Sequence, residues 1–251
     1  MISRPRIGLF VTCLVDLVRP QVGFAAVKLL EDSGCDVEVP VQTCCGQPAW
    51  NSGADKHAAD LARQVIAAFG PFDYVVAPSG SCAGMIRMHY PELLANDPQW
   101  LPRARALAAK TYELISFLVD VRRMKGVQAQ CAANICYHDS CSSLREMLVR
   151  DQPRELLASV DRLCLSELNE PKVCCGFGGL FSVKYPEISE RMADDKIADA
   201  QGTGAELMLG GDLGCLLHLK GRMQRQGVNM RVRHVAEVLA GMADEPALGE
   251  T

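Results

Sequence analysis

The chain has 251 residues, a net charge of −4 and 49% hydrophobic residues. That length and apolar share support a core that folds without crosslinks. The mild acidity gives no broad basic face, so nucleic acid and anionic membrane surfaces are excluded as default partners.

In chain order, "RIGLFVT" over 6–12 reads as a first strand. Its apolar run meets Asp16 quickly and no small-residue cleavage site follows, so we expect a strand rather than a signal peptide. No window approaches the roughly 18 apolar residues of a membrane span. The expected location is therefore the cytoplasm. Pro20 opens a helix running to about 32, and "CDVEVP" gives a strand over 35–39. The stretch "ADKHAADLARQVIAAFG" puts Ala58, Leu61, Ala62, Val65, Ile66 and Phe69 on one helical face and stops at Gly70. "FDYVVAP" is a continuous apolar run, as expected of a buried parallel strand. A helix should begin near Cys82. Residues 91–123, with "YELISFLVDVRRM", read as joining helices. Strands near 133–138, 162–166 and 205–209 then alternate with helices near 142–158, 186–200 and 215–226. Alternation of this kind implies parallel sheets flanked by helices, an α/β fold.

The order is a duplication. Cys13, Cys44, Cys45 and Cys82 recur as Cys141, Cys174, Cys175 and Cys215 at offsets of 128, 130, 130 and 133. "TCCGQP" becomes "VCCGFG", and each set begins and ends with a cysteine that follows an apolar strand. We expect two pseudo-symmetric repeats, residues 1–90 and 131–251, joined by a helical connection over 91–130.

Twelve cysteines in a chain with this core point to metal or redox chemistry rather than to structural disulfides. Functional loops of parallel α/β units collect at the carboxyl ends of strands. Each half therefore brings four thiols to one sheet end, the usual ligand number of an iron–sulfur cluster. Gly46 and Gly176 allow a tight turn whose N–H groups face sulfur. Vicinal cysteines suit a multi-iron cluster better than structural zinc, which favours pairs two to four residues apart. A metal-free thiol–disulfide enzyme and a structural-metal scaffold stay open as alternatives. Cys35, Cys131, Cys136 and Cys164 have no repeat counterpart and read as buried packing residues. His138 and His218 flank the second set and are candidate ligands or proton-handling groups. Asp139 and Asp212 are candidates to support the ligands from behind, but read first as solvated loop acids. No G-x-G-x-x-G fingerprint for flavin or nicotinamide is present.

These motifs resemble the cysteine-rich CCG-domain family, whose signature is Cys, an interval, Cys-Cys-Gly, an interval, and Cys-x-x-Cys or Cys-x-x-Gly. Here the intervals are 30 and 36 residues in the first half, and 32 and 39 in the second. The family includes the cysteine-rich subunit of heterodisulfide reductase and the iron–sulfur subunit of glycolate oxidase. "GLFVTCLVDLVRPQVGFAAVKLLEDSGCDVEVPVQTCCGQP" and "CCGFGGLFSVKYPEIS" look like its short lactate-utilization subgroup. The resemblance implies an iron–sulfur electron-transfer subunit of a complex oxidising L-lactate to pyruvate, active with partners rather than alone. It implies one or two clusters per chain, [4Fe–4S] in type, held by the eight paired cysteines. It also implies a ferredoxin-like iron–sulfur subunit and a third small subunit as partners. In the heterodisulfide reductase relative five cysteines hold each cluster. Here the fifth position is Met85 in one half and His218 in the other.

Overall fold

The computed structural model describes residues 4–250. The first sheet is built from β1 (Arg6–Leu9), β2 (Asp36–Glu38), β3 (Tyr74–Ala77) and β4 (Thr111–Glu113), in the order β2-β1-β3-β4. The second is built from β5 (Gln130–His138), β6 (Asp161–Ser166), β7 (Leu207–Gly210) and β8 (Arg231–His234), in the order β6-β5-β7-β8. All strand pairs are parallel. The duplication is thus carried through to topology. In each sheet the chain reverses its direction of progress between the two central strands, which is where an α/β sheet opens a crevice at its carboxyl edge.

The central strands are apolar because helices cover both faces. Ile7, Leu9, Val75, Val76, Leu207, Met208 and Leu209 are all buried. Helix Asp55–Phe69 buries Ala58, Ala62, Val65, Ile66 and Phe69 of the face read from its spacing and leaves Leu61 half-buried at its edge. One apolar core joins both sheets through Leu29, Leu30, Phe117, Ile135, Val235 and Leu239. A second core around Phe10, Phe69 and Tyr90 belongs to the first half, and a third unites the second half with Val15 and Val22. Each large side chain buried in this way contributes ~1.5–3 kcal/mol. A buried ion pair, Arg19 to Glu237 at 2.6 Å, also ties the halves together.

The structure differs from the sequence-based expectation in four places. Residues 91–123 are not helical throughout, because Thr111–Glu113 adds a fourth strand to the first sheet. Three residues are too few to show a period of two, and Glu113 is an acid where a buried strand favours apolar residues. The matching fourth strand, Arg231–His234, is likewise outside the expectation, since two arginines interrupt its apolar pattern. The helix expected over 142–158 breaks into Cys141–Arg145 and Asp151–Leu157, with Leu148 between them at φ 57°. The first strand ends at Leu9, and Thr12 turns the chain at φ 72° into a short helix, Cys13–Val18.

Candidate metal centres

Each cysteine owes its place to a strand end. Cys13 follows β1 and Cys82 follows β3; Cys44 and Cys45 end the loop after β2. Cys141, Cys215, Cys174 and Cys175 hold the same places after β5, β7 and β6. Four of these cysteines lie in the first turn of a helix whose preceding residue caps it, Cys13 and Cys141 as the first helical residue and Cys82 and Cys215 as the third. Thr12 accepts from Val15 N, Ser79 from Cys82 N, Ser140 from Ser143 N and Asp212 from Gly214 N.

In the first set the Sγ atoms of Cys13 and Cys44 lie 3.9 Å apart, and those of Cys45 and Cys82 lie 3.3 Å apart. In the second set the thiols of Cys175 and Cys215 share one buried cluster with His138, their ligand atoms all within 4.8 Å. The thiols of Cys141 and Cys174 neighbour each other beside them. All eight are free thiols.

The vicinal pair is shaped by its glycine. Gly46 and Gly176 both sit at φ +87°, a left-handed conformation that favours glycine. That turn aims Gly46 N at Cys44 Sγ over 3.5 Å and Gly176 N at Cys174 Sγ over 3.4 Å. With donated bonds from Cys13, Cys45 and the glycine amide, the Cys44 thiol is pulled down to about 2. Bonds from Cys141, Cys175 and Gly176 bring Cys174 down to about 2. Their donors move the other way: the bond to its thiolate neighbour and then burial push Cys13 and Cys141 up. Cys45 and Cys175, nearly enclosed, are raised by the same two causes. The bond from Cys175 lowers Cys215, yet its full burial and the charge of Asp212 leave it raised. Each set therefore holds one thiolate ringed by thiols that can follow it once a cation arrives.

The two sets share a wall. A cavity of about 230 Å³ is lined by Cys13, Cys44, Cys45 and Cys82 together with Phe177, Leu180 and Asp212. A second, of about 170 Å³, is lined by Cys141 and Cys215 together with Gln47, Trp50 and Asp212. Gln47, Ser81, Phe177, Gly179 and Asp212 face both. Asp212 is central to this wall: besides capping its own helix it accepts from Ser79 Oγ at 3.0 Å and Ser81 N at 3.1 Å. The two capping residues of equivalent helices thus pair across the pseudo-twofold. Gly80 and Gly214 are small because Ser143 and the Phe177 ring would collide with a Cβ there. Sequence spacing finds the thiols but not this wall; only the repeat of a capping residue before each cysteine hints at it.

The other candidates separate. His138 is 1% exposed, and neither ring nitrogen has a hydrogen-bond partner. Burial, and then Lys196, lower it to about 4, so the ring is neutral at pH 7. A buried polar group without a partner costs roughly 1–3 kcal/mol. His218 is engaged elsewhere: its Nε2 lies 3.2 Å from Ser189 Oγ, which donates to Gly176 O, and its ring leans on Phe177. Asp139 and Asp212 are not solvated, being 3% and 5% exposed. Asp139 accepts a bidentate pair from Arg154 at 2.9 and 2.8 Å. Cys35, Cys131 and Cys136 are buried as expected, but Cys164 is exposed, because β6 is an edge strand and turns it to solvent.

The cysteine-rich CCG domain matches residues 7–87 and 135–220, one copy in each half. The chain is 49% identical over 235 residues to lactate utilization protein A of Geobacillus kaustophilus (strain HTA426), covering 93% of this chain and 98% of that one. It is 47% identical over 235 residues to lactate utilization protein A of Halalkalibacterium halodurans, covering 93% and 96%. Among solved structures, a hypothetical protein from Helicobacter pylori superposes with a TM-score of 0.63 at 11% identity, over 99% of this chain and 53% of that one, a likeness of fold. Among the described residues no helix is long and apolar enough to cross a membrane. With both CCG copies in place and relatives matched along nearly their whole length, the chain belongs to the cysteine-rich CCG-domain family, in its lactate utilization protein A branch.

Proposed function

We propose that this chain is an iron–sulfur electron-transfer subunit of a system oxidising L-lactate to pyruvate. The observation that carries the reading is the gathering of eight thiols into two four-thiol sets, with Phe177 and Asp212 facing the cavities at both. The donor chemistry fits: each set offers four sulfurs, one already a thiolate, with a backbone amide aimed at it. Cys13, Cys44, Cys45 and Cys82 would hold one cluster, and Cys141, Cys174, Cys175 and Cys215 a second. A [4Fe–4S] cluster in such a set supplies one-electron transfer, its potential tuned by amide bonds to sulfur and by solvent exposure.

The chain's own residues define the rest. Buried Cys45, Cys175 and Cys215 keep water from the inner side of each set, whereas Cys13 is exposed and offers an edge for exchange with a partner. A 2-hydroxy acid entering the shared wall meets Asp212 rather than a cation, which favours a relay over direct lactate binding. The partners on this reading are a ferredoxin-like iron–sulfur subunit and a third small subunit. The working division is 1–90, 91–130 and 131–251.

The test is anaerobic. The iron-loaded chain should bleach on reduction and recover its colour when an electron acceptor is added, while forming no pyruvate from L-lactate alone. Pyruvate formed by the isolated chain would contradict the relay. A chain that stays colourless and iron-free after reconstitution would contradict the clusters.

A further inference from the structure

The second thiol set has a neighbour the first lacks. Cys141 and Cys13 share the offset of 128 residues, and the same offset sets His138 against Phe10. His138 ends the first strand of its sheet and Phe10 directly follows the first strand of the other, and both are buried, at 1% and 0% exposure. Phe10 needs no polar partner and packs on Phe69 at a centroid distance of 5.4 Å. His138 brings two ring nitrogens into the same setting and finds no hydrogen-bond partner for either. Lys196, the nearby buried cation, is turned elsewhere, donating to Glu170 O at 2.6 Å.

What the ring does reach is sulfur. A ligand nitrogen of His138 and the Sγ atoms of Cys175 and Cys215 lie mutually within 4.8 Å, and all three residues are buried. Imidazole nitrogen beside two thiols, without any competing hydrogen bond, is a ready donor set for a borderline or soft cation. His218, the other histidine near this set, does not join it. Its ring is engaged by Ser189 and Phe177.

We infer that His138 is a metal ligand, joining Cys175 and Cys215 from the interior side of the second centre. The second set then counts five donors and the first four, so the two centres are chemically distinct. The inference rests on the reading that the second set binds iron and sulfide, and its test is built so that the two can fail separately.

The protein is prepared with Cys13→Ser and Cys44→Ser, leaving only the second set complete, and with 15N-labelled histidine. Electron–nuclear double resonance on the anaerobically reduced, iron-loaded protein should show 15N coupling. That coupling should vanish in His138→Phe and persist in His218→Phe. A cluster signal without 15N coupling, or coupling that survives His138→Phe, overturns the inference. The variant copies the residue at Phe10, so the metal-free fold should melt no lower than the parent; His138→Leu serves where the larger ring does not fit. In parallel, Co2+ is titrated into the reduced, metal-free protein. Affinity should fall at least tenfold in His138→Phe. Equal affinity, or no Co2+ binding by the parent, overturns the inference. Histidine-dependent Co2+ binding in a protein that never assembles iron supports the ligand and contradicts the iron–sulfur reading.

Discussion

The two halves share their four thiols and the turns that hold them, and differ in the side chains around those thiols. Both have four thiols, a capping residue ahead of Cys13, Cys82, Cys141 and Cys215, and a glycine at φ +87° after the vicinal pair. Around the first set the neighbours are apolar: Phe10, Val11 and Met85. Around the second the corresponding residues are His138, Asp139 and His218. The duplicated features are those that any four-sulfur set at a strand end needs, namely a tight turn and satisfied helix starts. The features that diverged are those that set local charge and hydrogen bonding. At these three positions the first set has apolar side chains where the second has a buried histidine, a buried carboxylate and a second histidine.

The largest expected effect probes that buried carboxylate. Arg154 pairs with buried Asp139 and with Glu167 at 2.7 Å, and lies over the Tyr137 ring. Arg154→Met leaves Asp139 buried and unpaired, a loss of roughly 3–5 kcal/mol. The first half has Val11 at the equivalent place and no such vulnerability. Denaturant unfolding at neutral pH measures it; a loss under about 1 kcal/mol would show that the polar shell is not structural.

The fourth strands give a comparison in pH. Glu113 and His234 each end such a strand and cap the helix that follows. Burial raises Glu113 to about 7 from 4.5, so the folded state holds its proton more tightly. Its stabilisation is complete below pH 4.5 and lost as pH rises through 7, about 3 kcal/mol in all. Burial lowers His234, which donates to Pro78 O at 3.1 Å. Its stabilisation is complete above 6.5 and lost as pH falls. Unfolding free energies from pH 4 to 8 should therefore show Glu113→Gln gaining on the parent as pH rises. Parallel curves would show that burial does not govern Glu113.

The glycines differ in a smaller, measurable way. A Cβ at Gly46 would meet Leu61 Cβ at 3.6 Å, an ordinary contact, but at Gly176 it would lie 2.6 Å from Ser189 O. Gly46→Ala should cost about 1–2 kcal/mol for the left-handed backbone alone. Gly176→Ala should cost roughly 1–3 kcal/mol more for the clash. Equal losses would break the distinction. Smallest is Ser79→Ala, about 1 kcal/mol for a lost cap, and it should exceed Ser140→Ala because Ser79 also donates to the buried Asp212 carboxylate, whereas Ser140 donates only to the Ser143 hydroxyl.

Much of this was readable in the sequence because it rests on periodicity and repetition. The central strands are continuous apolar runs, the helix Asp55–Phe69 shows its buried face, and the shared offsets pair the cysteines. The fourth strands were not readable. Thr111–Glu113 has too few residues for a period, and Arg231–His234 carries charges that tertiary contacts satisfy. Nor was the wall between the centres: the pairing of Ser79 with Asp212 joins residues 133 apart in sequence, and a lone Ser or Asp in a loop gives no sign of burial. Distinguishing His138 from His218 likewise required knowing which ring was already engaged.

The central claim is that each half independently holds an iron–sulfur cluster. Iron and acid-labile sulfide per chain, with electron paramagnetic resonance, should be measured after anaerobic reconstitution of the parent, Cys45→Ser and Cys175→Ser. The account predicts about four irons per occupied site in the parent, loss of one set of signals in each variant, and signals from the two variants that sum to the parent's. Parent protein without iron or sulfide, or two variants with identical spectra and undiminished iron, would contradict it.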